Sequence, residues 1–286
     1  MLYRKVKAFL PELFLSCLIG CGVFILCTDT PFCRLWRIIA CTQLGNALFL
    51  KMTGLLPVRL YVGLNGPAWY LSTLLLCSAV LYPMLRRWGI SLVYLVTGIM
   101  LLSSLFVADP HFYFTPTQYI GYFLNGNIRG LAEMMIGISL YPILQGLKNC
   151  TPTLWGQRLL TALKWGCFLF VLLNYHYVRQ FGLGLGLFMM ALCVMLVLVF
   201  WEKCLDYYWY QHRIFLFLGR LSLPLFLSHH FYARFLPPCI PDSWGYIGAS
   251  AAYYACAFLT AFAVLVASDK LRSLPPLIFK QQNNGG

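Results

Sequence analysis

The chain has 286 residues, of which 60% are hydrophobic and only 10% are Asp, Glu, Lys or Arg, with a mean hydropathy of +0.74. A soluble domain carries around 25% charged residues to cover its surface, so this composition excludes an ordinary water-soluble fold and implies an all-α, multi-pass bundle of membrane helices. In that setting the net charge of +13 reads as basic flanks on membrane spans rather than a nucleic-acid surface, because the arginines border apolar runs and build no domain of their own.

The apolar runs are near or above the roughly 20 residues that cross a bilayer as helix. A barrel, built from short alternating strands, does not fit them, and irregular backbone is too costly in hydrocarbon. About eight spanning helices are predicted, at 9–27, 67–85, 90–107, 128–144, 159–175, 181–200, 215–235 and 245–267. Arg4, Lys5 and Lys7 precede the first span, but no small-residue cleavage site follows, so it reads as retained. Segment 35–52 is less apolar, with Arg37, Gln43, Asn46 and Lys51. It is placed outside the membrane or on its outer surface, because counting it as a span would move Arg86 and Arg87 to the outer side.

Eight spans and a cytoplasmic N-terminus put most Lys and Arg inside, including Lys148, Arg158, Lys203, Arg213, Lys270 and Arg272. Against this, Arg34, Arg37, Lys51 and Arg59 fall outside. The expectation is a multi-pass cell-membrane protein with both termini cytoplasmic, a single membrane domain over 1–280 and a disordered polar tail over 281–286. Gly182, Gly184 and Gly186 spread around a helix and suggest close packing or bending. Pro11, Pro67 and Pro237 read as helix ends. Of the 12 cysteines, Cys17, Cys21, Cys77, Cys167, Cys193 and Cys256 sit in spans as small apolar residues. No CxxC pair occurs, and no metal site is expected.

Polar groups within a span are costly unless paired or wet, which makes them functional candidates. Four places qualify. In 65–72, Gly66 permits a close approach and Pro67 suits a first helical turn, while Trp69 and Tyr70 either anchor at the interface or line a substrate. In 127–133, Arg129 and Glu133 are four apart on one face and able to pair, either structurally or as a polar site; arginine is also a fixed donor for phosphate or carboxylate. In 218–230, Ser222, His229 and His230 lie on an apolar helix. Adjacent residues point about 100° apart, so one histidine at most faces a given ligand, as a proton carrier or a helix-to-helix hydrogen bond. In 3–11, Arg4 and Lys5 are a cytoplasmic anchor or a site for an anionic cofactor head. None of these forms a nucleophile triad, a phosphate loop or a metal cluster.

At these segments the chain resembles the acyltransferase-3 family of integral membrane O-acyltransferases. Tyr3-Arg4-Lys5-Val6-Lys7-Ala8-Phe9-Leu10-Pro11 is similar to the opening of the family's third helix, and Asn65 through Ser72 to its NGPxW segment. Arg129 through Gly137 is similar to an arginine-containing helix, and Leu218 through His230 to the LGxxSxxxY helix followed by histidine. The resemblance implies a bundle of about ten helices that moves an acyl group from a cytoplasmic donor, commonly a coenzyme A thioester, to a hydroxyl of a cell-surface glycan or lipid-linked sugar. It implies that acyl-CoA is a co-substrate rather than a permanently bound cofactor. By the same resemblance Arg4 and Lys5 hold donor phosphates, Arg129 supports the reaction cavity with Glu133 beside it, and Trp69 and His229 line or brace it with Tyr70 and Ser222. The family's first two helices, with their arginine and essential histidine, are not found in these residues, and Leu74 stands where many relatives have glutamate. The catalytic residue is therefore unassigned, and the activity of the chain as written is left open. A transporter or flippase of a glycan or glycolipid is the competing reading.

Overall fold

The computed structural model describes residues 2–27, 45, 48–50, 52–53, 66–108, 119–120, 123–174 and 184–273. Among them are eight α-helices: α1 (Leu2–Cys27), α2 (Ala68–Trp88), α3 (Leu92–Ala108), α4 (Asn125–Leu147), α5 (Leu154–Asn174), α6 (Gly184–Phe200), α7 (Arg213–Phe235) and α8 (Gly245–Ser273). A minimal antiparallel hairpin, β1 (Tyr119–Ile120) with β2 (Phe123–Leu124), precedes α4. The eight helices fall on the eight apolar runs in order. Most of segment 35–52, and the tail 281–286, lie outside the described residues.

Six helices are long and apolar enough to cross a membrane: α1 from Val6, α2, α4, α5 up to Leu173, α7 and α8. The other two, α3 and α6, are equally apolar but have 17 residues each, about 26 Å at 1.5 Å per residue. Many large apolar side chains face outward, among them Leu26, Met100, Val107, Leu172 and Ile247. In water such exposure would be untenable; against lipid it is the expected covering. The protein is a multi-pass membrane protein.

Helices outrun the apolar runs where basic residues flank them, since long charged stems lie along a helix and place their heads in the interface. Thus α1 begins at Leu2 and α8 continues through Lys270 and Arg272. One consequence corrects the sequence reading of Pro11, which is interior to α1 rather than at its end. Pro83, Pro142 and Pro224 are likewise interior to α2, α4 and α7. Membrane helices tolerate the missing N–H because neighbours and local adjustment satisfy the released carbonyl.

The chain divides into two compact units, Met1–Trp69 with Gly219–Gly286, and Tyr70–Leu218. In the first, α1 packs along α8. Leu221, Ala261 and Leu265 form an apolar core, and Phe24 meets Phe235 edge-to-face with centroids 5.2 Å apart. In the second, α3 packs on α4 and α5 on α6. Leu102 and Leu105 close against Ala132 and Ile136, while Leu81, Tyr94 and Met135 form a neighbouring cluster.

Candidate functional site

The polar groups of the second unit gather where α4 crosses α2. Gly130 allows the approach: a Cβ there would collide with Thr73 Cγ2. This closeness lets Thr73 Oγ1 donate to Asn127 Oδ1 at 3.1 Å, and Cys77 Sγ to the Asn127 carbonyl at 3.5 Å. On the same turn of α4, Arg129 Nε donates to Glu133 Oε1 at 2.7 Å, the pairing their spacing allows. Both are partly buried, at 19% and 31% exposure, so the ion pair is neither fully screened nor sealed from ligand. A cavity of about 110 Å³ opens beside it, lined by Tyr70, Thr73, Leu74, Gly130, Glu133 and Met134. A carboxylate held by a guanidinium, with a phenol and a hydroxyl opposite, can orient and polarise one small hydroxyl-bearing group in an apolar bundle.

The first unit brings a different pair together. Gly66, in the turn that opens α2, lies against the His230 ring so closely that a Cβ would sit 2.6 Å from Nε2. His229, the neighbour favoured from sequence, donates Nδ1–H to the Leu225 carbonyl of its own helix at 3.2 Å. Helix phase explains the difference, since only one of the two adjacent rings can meet the turn. Ser222 is exposed and donates to Gly219 O at 2.7 Å. Trp69 follows the turn, half-buried on the first turn of α2. Arg4 and Lys5 lie on the first turn of α1, and their side chains are outside the described part. A second cavity, of about 330 Å³, lies where α7 ends and α8 begins, lined in part by Tyr232, Pro237, Tyr246, Ser250 and Tyr253.

Two charge networks, each with a buried member, escaped the sequence reading. In the first unit Glu12, almost fully buried, accepts from Arg272 at 2.5 Å. Arg272 also approaches Asp269 at 3.6 Å, and Asp269 accepts from Arg220 at 2.5 Å, so the quartet joins α1, α7 and α8. Glu12 Oε2 and Ser16 Oγ, one turn deeper, are buried with no hydrogen-bond partner among the described residues. In the second unit Lys164 pairs with Asp206, at 2% and 4% exposure. The same carboxylate accepts from Trp165 Nε1 at 2.9 Å and the Tyr210 hydroxyl at 3.3 Å. A lone lysine midway along an apolar run, and a lone aspartate before four aromatic or polar residues, were the available signals. Nearby, burial pushes the Cys204 thiol up, only partly opposed by Lys164.

Helices with outward apolar surfaces and polar pairs held between them define an integral membrane protein. The chain matches the acyltransferase domain of the acyltransferase-3 family over residues 1–267 and belongs to that family. No curated protein and no solved structure matches it.

Proposed function

We propose that the protein is a membrane O-acyltransferase that moves an acetyl or similar acyl group from a coenzyme A thioester to a hydroxyl of a cell-surface glycan or lipid-linked sugar. The observation that carries this reading is the paired Arg129–Glu133 beside a small polar cavity, in a chain of the acyltransferase family. In the transfer the thioester C–S bond breaks, the ester C–O bond forms, and the acceptor's hydroxyl proton leaves, ending on the coenzyme A thiol. Arg4 and Lys5 are assigned to the donor's phosphates, Arg129 and Glu133 to the cavity, and Trp69, Tyr70, Ser222 and His229 to lining or bracing. The group that takes the proton is left unassigned. The arrangement proposed is a single membrane domain over 1–280 with eight spans and both termini cytoplasmic.

Membranes holding the full chain are to be incubated with acyl-labelled coenzyme A. Label in glycan or lipid, lost with Arg129→Ala in protein that remains monodisperse, supports the proposal. No transfer by the full chain overturns it. A glycan or glycolipid transporter is the second reading, favoured by the buried Lys164–Asp206 pair, whose lysine lies within the apolar α5; flux across vesicles without thioester cleavage would establish it.

A further inference from the structure

The segment between α6 and α7 is held rather than loose. Asp206 is drawn into Lys164 and Trp165 of α5. The Leu205 N–H donates to Thr161 Oγ1 at 3.1 Å, and the Trp201 indole donates to the Leu147 carbonyl at 2.9 Å. Leu198, Trp201 and Cys204 form an apolar cluster beneath it, packed on Leu144, Leu147 and Leu160. The anchoring leaves two kinds of side chain outside. Tyr208 and Trp209 are 73% and 62% exposed, and Trp155, at the start of α5, is 78% exposed. Among them stand the exposed cations Arg158, Lys203 and Arg213, none with an ion-pair partner among the described residues. Glu202 is the exposed acid of the segment, whereas Asp206 is neutralised inside.

We infer that this aromatic and cationic plate, at one end of the Tyr70–Leu218 unit, is a binding surface for anionic phospholipid headgroups. Three cations against one acid supply the charge complementarity for a phosphate-bearing surface. Indole and phenol rings favour the level of the headgroups. Exposed Leu154 and Leu205 beside them need hydrocarbon, which a lipid provides and a soluble phosphate does not. Because the backbone is already fixed, little ordering is required when a headgroup arrives. The surface would select the lipids around the protein, a property separate from acyl transfer.

The test uses the full chain in nanodiscs of zwitterionic lipid with a minor fraction of brominated phosphatidylglycerol, or of brominated phosphatidylcholine at equal bromine content. The Trp209 signal is isolated as the difference between wild type and Trp209→Phe. Preferential quenching by the anionic lipid is expected, weakening with salt and falling about five-fold per charge removed in Arg158→Gln, Lys203→Gln and Arg213→Gln. Equal quenching by both lipids in the wild type overturns the inference, as does a preference unchanged in the triple variant. So does loss of the preference when micromolar ADP is added, which would make a soluble phosphate the ligand. The substituted side chains are exposed, and monodispersity by size exclusion verifies that each variant is folded.

Discussion

Gly66 and His230 show how tightly single positions are set. Gly66→Ala would place a methyl group 2.6 Å from the imidazole Nε2, and overpacking of this kind costs about 1–3 kcal/mol. A lowered apparent melting temperature in detergent is expected, with recovery when His230→Ser is added; a double variant no better than Gly66→Ala would show that the two residues do not meet. Arg129→Lys keeps the charge but loses the planar fork that holds Glu133. It is expected to reduce labelled acyl transfer at least ten-fold while leaving the melting temperature near wild type. The Arg129–Glu133 pair was legible because a four-residue spacing on a helix brings side chains together. The choice between His229 and His230 was not, since it depends on where the Gly66 turn meets α7.

At the element scale, α5 is tied to the segment that follows α6 through Asp206. Asp206→Asn leaves Lys164 buried without a counter-charge, and breaking such a pair from one side costs about 3–5 kcal/mol. A large fall in aggregation temperature is expected, together with faster proteolysis between α6 and α7. The buried thiol beside the pair gives a pH-dependent readout. A raised pKa means less thiolate at pH 8, and thiolate is the reactive form, so Cys204 should react with maleimide after the exposed Cys150 and Cys239. Its labelling should accelerate only above the usual thiol range of about pH 8.5; mass spectrometry of labelled peptides would measure both. Helix positions were readable because long apolar runs have one solution in lipid. Their ends were less so: hydropathy stops at a lysine or arginine, and the helix, as in α1 and α8, need not. Lys164–Asp206 was invisible for another reason, since its partners are 42 residues apart and meet only after folding.

For the molecule as a whole, composition settled the solvent and left the chemistry open. A chain with 60% hydrophobic residues and lipid-facing side chains on its helices is expected to lose monodispersity when detergent falls below its critical micelle concentration, measurable by light scattering. The proposed eight spans require reporters at Met1 and Gly286 to respond on the same, cytoplasmic side of the membrane. Reporters on opposite sides would leave an odd number of crossings and cancel the charge-based orientation.

The quartet that joins α1 to α8 bears on how the protein is made. Glu12 is translated ahead of its counter-ion Arg272, which follows 260 positions later. At roughly 5–20 residues per second, that is a wait of about 13–50 s with an acid in a helix already bound for the bilayer. During that interval a chaperone, water or a proton must answer the charge. Ribosomes stalled before the Arg272 codon should therefore yield nascent chains in which α1 is retained poorly or cleared by quality-control proteases, and Glu12→Gln should relieve that loss.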